Sequence, residues 1–460
     1  MYIPRNIDSE LIRWAKSGRH KPLLLRGVRQ CGKTTAVRNL AKSFGDYIEI
    51  NLEREPDLCR IFEGDLDLKR IINRIELHVS KRITPETLLF IDEIQECPRA
   101  VTALRYFYEE KPELYVIAAG SLLEFVLNGG GRKVTVDFPV GRVRSLFMYP
   151  FSFMEFLTGT GNQILADYLR NLQINVDQND AHSRLLELYK TFLIVGGMPE
   201  AVAEYASSGS IFECQQIHRD IIINFKDDFA KYSDRVPQDI IRRVFDFAMH
   251  NVCRQVKASS AIAGVSAYYF NTCIELLRKA GLVYPVKAST CNALPLGATE
   301  KEANKKLLVF DTGIYLTECG LDAAGILGAE VFQDMNKGDV VEMATGLEIL
   351  KNVNSYSEAA LFYWYRSGAN AEIDYAITLK NEIIPCEVKS SGKGSMQSLQ
   401  SFLGTHRSPY GVRLSMEDFA EYENIHVYPV YAVSRLVRGQ GRRIVFYLNY
   451  ASFLETYGLQ

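Results

Sequence analysis

Gly27, Gly32, Lys33 and Thr34 stand at the spacing G-x-x-x-x-G-K-[ST] inside LLLRGVRQCGKTTAV, residues 23–37. Glycine allows backbone angles that a side chain forbids, so successive N–H groups can turn inward around a phosphate. Lys33 adds a point charge suited to β- and γ-phosphates, and the Thr34 hydroxyl is a ligand type for Mg²⁺. The candidate phosphate cradle is Gly27, Val28, Arg29, Gln30, Cys31, Gly32, Lys33, Thr34 and Thr35. Further along, TLLFIDEIQ (87–95) ends an apolar run in two acids. Asp92 is placed to hold Mg²⁺ through water, and Glu93 to orient or deprotonate an attacking water. In ELYVIAAGS, Ser121 either senses the γ-phosphate or caps the helix that follows. Arg142 and Arg144 come next, in FPVGRVRSLFMYPFSFMEFL. Arg142 is the candidate for stabilising charge on a γ-phosphate in the transition state; the alternative for both arginines is a solvated strand.

These side chains can act together only if strands and helices deliver them to one edge. KPLLLRG reads as a short buried strand, and KTTAVRNLAKSF as a helix whose N-terminus carries partial positive charge. An apolar TLLFID strand in a parallel sheet would bring Asp92 to the C-terminal edge of that sheet, beside the loop. Residues 151–235 repeat apolar positions at three-to-four spacing and read as a helical lid, with Pro199 at a helix start. Asp220, Asp227 and Asp228 read as a solvated helix face and receive no chemistry. SSAIAGVSAYYFNTCIELLRKAGLVYPVK predicts a short helix, a turn at Gly264, a longer helix and a strand, the order of a winged helix. Its second helix would turn Tyr268, Asn271, Arg278 and Lys279 outward, toward a DNA groove or, alternatively, a protein partner.

A second constellation lies near the end. AEIDYAITLKNEIIPCEVKSS (371–391) reads as two strands joined by a Lys-Asn-Glu turn. Glu387 and Lys389 are two apart and share one face of the second strand, with Val388 facing the core. Asp374 lies beside them across the hairpin, and Glu342 falls on a helix leading toward these strands. Carboxylates that hold Mg²⁺ and a lysine that positions water are what a metal-dependent phosphodiesterase needs. The set resembles the PD-(D/E)xK nuclease motif, with Ile373 where proline usually precedes the aspartate. The alternative is plain strand alternation in a docking scaffold.

The segments LLLRGVRQCGKTT, LLFIDEIQ, AAGS, VGRVRSLFMYPFSFMEFL and IVGGMPEAV together resemble the prokaryotic AAA-type ATPases (AAA_14, STAND-like) paired with a C-terminal DUF4143 region. Val28 and Cys31 stand where proline and valine are more usual, and Met148 departs from a Leu-Tyr-Pro-Leu-Ser-Phe stretch. The loop works through its backbone, so none of these changes alters phosphate chemistry. The resemblance implies an α/β chain in four parts. These are a P-loop, RecA/AAA-like core over 1–150, a helical lid over 151–235, a winged-helix-like module over 236–325 and a PD-(D/E)xK nuclease-like DUF4143 domain over 326–460. It implies ATP and Mg²⁺ as cofactors, with DNA or another protein as partner, and an oligomer should Arg142 act on a neighbour. The expected activity is Mg²⁺-dependent ATP hydrolysis coupled to a C-terminal binding module. The alternatives are an ATP-regulated nuclease and a docking switch that binds ATP without hydrolysing it.

The totals set the outer bounds. A chain of 460 residues is long enough for about three domains. With 47% apolar and 23% charged residues it is globular, and 53 basic against 55 acidic residues exclude a global field for a polyanion or membrane. Phosphate contact is then left to local patches such as RLVRGQGRR (435–443), for which the alternative is a solvated charged loop. Nine scattered cysteines without a C-x-x-C pair point to reduced thiols; Cys31, Cys253 and Cys386 read as small semi-buried residues. No apolar leader opens MYIPRNIDSELIRW, so a cytoplasmic setting without a membrane is expected. NGGGRK (128–133) and STCNALPLGATEKEANKK (289–306) read as loops.

Overall fold

Burial along the first five strands divides them into inner and outer members. The strands are β1 (Leu23–Arg26), β2 (Asp46–Asn51), β3 (Thr87–Asp92), β4 (Tyr115–Gly120) and β5 (Arg144–Phe147). β3 is buried at every position, and β1 and β4 at all but one, as expected where helices cover both faces of a parallel sheet. The outer strands β2 and β5 keep partly exposed positions. The order is β2-β3-β4-β1-β5, and every pairing is parallel. A computed structural model provides the coordinates and describes residues 2–18, 20–120, 138–171, 178–232, 236–321, 337–353, 355–366, 371–390 and 396–438.

Successive strand residues point to opposite faces, so the sheet feeds two cores. Leu24, Leu89, Ile91, Val116 and Ala118 pack with α3 (Leu68–Val79) and α4 (Pro98–Glu110). Leu23, Leu25, Phe90, Ile117 and Ala119 belong to the other core, with α1 (Asp8–Ala15) and α2 (Lys33–Ala41). That second core does not stop at the sheet. It runs on through the helices α5 (Phe153–Gly159), α6 (Gln163–Arg170), α7 (Gln178–Val195), α8 (Pro199–Ser208) and α9 (Ile211–Asp228). From there it reaches α10 (Gln238–His250), α11 (Ala267–Lys279) and α12 (Thr312–Glu318), and then the C-terminal sheet.

The C-terminal sheet is mixed, in the order β12-β13-β11-β10-β9-β8-β6-β7. Its strands are β6 (Val283–Ser289), β7 (Glu300–Val309), β8 (Leu361–Tyr365), β9 (Glu372–Leu379), β10 (Glu382–Val388), β11 (Gly411–Ser415), β12 (Ala420–Tyr422) and β13 (Ile425–Pro429). The helix α13 (Lys337–Asn352) lies on one face, and α14 (Gln397–Leu403) packs its Leu399 and Phe402 against Trp364, Ile373 and Ile383 on the other. A final helix, α15 (Val433–Val437), contacts α13.

Two expectations change here. The segment Ser259–Gly264 forms turns rather than a short helix, because the flanking Val256 is drawn into a bridge with Lys305 and too few residues remain to nucleate one. The stretch 289–306 is a loop only in its first half; from Glu300 it is strand β7. The β6–β7 hairpin also joins the later strands in one sheet, since Val286–Ala288 pair in parallel with Leu361–Tyr363. The turn between β9 and β10 falls where expected but is one residue shorter than Lys-Asn-Glu: Lys380 and Asn381 have φ of 49° and 65°, the geometry of a two-residue hairpin loop, and Glu382 of β10 already pairs with Leu379.

Candidate functional site

Gly27 and Gly32 occupy places that reject a side chain. A Cβ on Gly27 would sit 2.2 Å from the Met148 carbonyl oxygen, and Gly32 has φ of 94°. Gly32 is the N-cap of α2 and carries no capping side chain, leaving the first-turn amides of that helix to an anion. Lys33 is buried, and its Nζ donates to the Gly27 and Val28 carbonyl oxygens at 3.0 Å each. The Thr34 hydroxyl donates to Asp92 Oδ2 at 2.9 Å, and the Asn51 amide reaches the same oxygen at 3.3 Å. Parallel register puts Asn51 beside Asp92, so two strand ends and one helix start converge. Burial raises the Asp92 carboxyl above its ordinary value; the Thr34 hydrogen bond opposes this and the Glu93 charge adds to it. A hydroxyl and a carboxylate side by side are an oxygen donor set that fits Mg²⁺. Glu93 turns out of the strand with φ of 50°, and its Oε2 accepts from the Gln95 amide at 2.6 Å.

The loop is fixed from several sides. Arg5 donates from Nη1 to the Cys31 carbonyl at 2.9 Å, from Nη2 to the Tyr149 carbonyl at 2.7 Å and from Nε to Glu155 Oε1 at 3.0 Å. Glu155 closes a capping box with Ser152 at the start of α5. Arg29 pairs with Asp228 at 2.7 Å, at the end of α9, and with Glu53 at 3.1 Å. Gly281, just before β6, lies against Val28: a Cβ there would stand 3.3 Å from the Val28 Cβ. Beside Gly27 and Gly120 opens a cavity of about 690 Å³, lined also by the basic end of α11 and by Lys301 and Lys305 of β7.

The comparisons meet this geometry. Residues 19–157 match the family model of an AAA domain (AAA_14), residues 186–324 a domain of unknown function (DUF8612) and residues 337–433 another (DUF4143). The chain joins an AAA domain to a DUF4143 domain. No curated protein matches it. Among solved structures it is similar to a Walker-type ATPase of Pyrococcus abyssi, at 15% identity over 69% of this chain and 95% of that one, with a TM-score of 0.42. It is also similar to the Aeropyrum pernix Orc1 protein in complex with DNA, at 13% identity over 70% and 94%, with a TM-score of 0.26. A third similarity is to PCH-2 of C. elegans, at 15% identity over 45% and 63%, with a TM-score of 0.26. Among the described residues no helix is long and apolar enough to cross a membrane.

Within the AAA domain the structure brings Lys33, Thr34, Asp92 and Glu93 to the C-terminal edge of the sheet. Ser121 lies outside the described residues, one position beyond β4. Arg142 is not brought to that edge within this chain. It precedes β5, which runs parallel to β1, and so it sits at the opposite edge, where its Nε donates to Glu109 at 3.0 Å. Arg144 opens β5 at the same far edge, over the ring of Tyr356.

Farther along, the Cys386–Tyr375 pairing sets Glu387 opposite Asp374, and the Val388 amide donates to Asp374 Oδ2 at 2.8 Å. Val388 packs half-buried against the main core, as expected, and Glu387 on the other face of the strand is buried as well. Lys389 pairs with Glu387 at 2.6 Å. Glu342, from α13, meets Lys306 of β7 at 2.7 Å. Asp374 reaches the same ammonium at 3.5 Å, and Glu372 also pairs with it. Among the described residues no group of three or more His, Cys, Asp or Glu is placed to hold a metal ion.

Two basic sets serve structure. Arg278 bonds Glu275 and Glu358, Lys279 pairs with Glu275 at 3.5 Å, and Asn271 accepts from Lys305; Tyr268 and Asn271 are the exposed members of the α11 set. Arg435 donates to the Leu169 carbonyl and Arg438 to Asn352, so these two tie α15 to α6 and α13; 439–443 lie outside the described residues. Sequence reasoning missed Arg5, Asn51, Gln95 and Lys306. Arg5, Asn51 and Lys306 gain their roles from segments distant in the chain, whereas Gln95 lies two positions from its partner Glu93, at the end of the TLLFIDEIQ run.

Proposed function

We propose that this chain is a Mg²⁺-dependent ATPase that passes the state of its nucleotide to a C-terminal half serving as a nucleic-acid- or protein-binding module. The carrying observation is the anchoring of the phosphate loop. Arg29 is held by the last turn of α9, and Val28 by the turn that leads from α11 into the C-terminal sheet. Any displacement of the loop on binding is therefore felt in both places. One uninterrupted core from the AAA sheet to the DUF4143 strands supports the same reading.

In this reading Mg-ATP supplies the phosphoanhydride that is broken. The amides of Val28 to Thr34 and the Lys33 ammonium hold its phosphates, Thr34 and Asp92 hold the metal, and Glu93 orients or deprotonates water. The pair α10–α11 followed by a hairpin supports a winged-helix-like middle, with the exposed Tyr268 on its second helix. The order Glu342, Asp374, Glu387, Lys389 supports a nuclease-like ancestry for the last domain. A cytoplasmic setting belongs to the proposal and is supported by nine thiols, all free.

The test is ATP turnover measured alone and with DNA, RNA and cell extract. Turnover that Lys33→Ala abolishes, and that one of these additions stimulates, is expected. Turnover indifferent to Lys33→Ala overturns the assignment. One contact favours a second reading, a switch that binds ATP without hydrolysing it: Gln95 holds the Glu93 carboxylate at 2.6 Å. ATP binding without turnover under every addition would select it.

A further inference from the structure

The nuclease-like carboxylates already contain a cation, and it comes from outside the DUF4143 match. Lys306 stands on β7, and only 3% of its side-chain surface is exposed. Its ammonium has three N–H donors. Around it lie Glu342 of α13, and Glu372 and Asp374 of β9, with the ring of Tyr363 at 5.3 Å. The remaining acid of the motif, Glu387, is engaged by Lys389, and Arg413 stands in register beside it on β11. One oxygen of Glu387, Oε2, is buried without a hydrogen bond.

This arrangement does not fit a divalent ion. Mg²⁺ demands about six oxygens at about 2.0–2.1 Å in near-octahedral order, whereas the point shared by Glu342 and Asp374 is filled by an ammonium that would repel a second cation. We propose that Lys306 is the resident cation of this site. It substitutes for a divalent metal, closes the site to metal-dependent cleavage and pins the β6–β7 hairpin to the DUF4143 sheet. Charge balance explains the burial. Several carboxylates this close together need a positive partner, and a lysine from the neighbouring hairpin satisfies that need permanently where a metal would come and go.

Nucleotide plays no part in this, so the test uses the full chain free of nucleotide, and its failure leaves the ATPase reading standing. Mn²⁺ is titrated and the free ion followed by electron paramagnetic resonance, with thermal unfolding run in parallel. Wild type is expected to show no Mn²⁺ binding that Glu342→Gln removes. Lys306→Met is expected to gain one Mn²⁺ site, at least about tenfold tighter than anything in wild type, and to recover in Mn²⁺ the thermal stability it loses without it. Lys306→Met combined with Glu342→Gln is expected to lose both the site and the recovery. Glu342-dependent Mn²⁺ binding in wild type overturns the proposal. So does a Lys306→Met protein that neither binds Mn²⁺ nor is stabilised by it.

Discussion

At the level of single residues, the Lys33 ammonium is held at the mouth of the loop by two carbonyls of that loop. A phosphate arriving there exchanges neutral acceptors for charged ones, and charge-assisted hydrogen bonds are the stronger. Lys33→Ala is expected to weaken ATP binding by about a hundredfold, or about 2.7 kcal/mol, read by titration calorimetry; unchanged affinity would detach the loop from nucleotide chemistry. Glu93→Gln is expected to bind ATP as wild type does while steady-state turnover falls by on the order of a hundredfold or more. Both residues were legible from the sequence because their chemistry is written within a few neighbours of each other. Arg5 was not. Its partners Cys31 and Glu155 lie 26 and 150 positions away, and no local pattern announces such a meeting. Arg5→Ala would leave Glu155 buried without its cation, at a cost of about 3–5 kcal/mol, measurable by denaturant unfolding.

Among the elements, strand polarity decides what a motif can reach. Asp92 was legible at the working edge because an apolar run ends there. Arg142 could not be placed from its order after β4, which says nothing about which end of β5 it occupies; parallel pairing with β1 puts it at the far edge of its own chain. The close pass of β1 and the segment after β5 gives a direct test. Gly27→Ala would drive a methyl into the Met148 carbonyl, 2.2 Å away, so a lower melting temperature together with weaker ATP binding is expected, and a variant unchanged in both would contradict the packing. The α5 cap predicts a pH dependence. Burial alone would raise the Glu155 carboxyl, but Arg5 and the amides of Ser152 and Asn6 outweigh it and hold it below the ordinary range. A depressed folded value means that the stabilisation is complete above the unfolded carboxylate pKa of about 4.3 and is lost as pH falls through the folded value. Glu155→Gln should therefore be less stable than wild type at neutral pH, and the gap should narrow in acid unfolding below about pH 4.

For the molecule as a whole, the AAA sheet and its loop were legible, whereas the joining of the halves was not, since strand order across 283–429 depends on pairings that no segment encodes alone. Asp228→Ala removes the partner that holds Arg29 from α9; ATP binding is expected to survive, and any stimulation by a nucleic acid or protein partner to shrink. The shared C-terminal sheet carries a practical lesson. A gene shortened to residues 337–438 would encode β8 with the flank that Val286–Ala288 normally cover left bare. Open strand flanks invite other chains to pair with them. Such a fragment is expected to leave a sizing column as aggregate, and extending it back to residue 283 to return a soluble species. The boundary drawn by family matching would thus cut through a folding unit instead of around it.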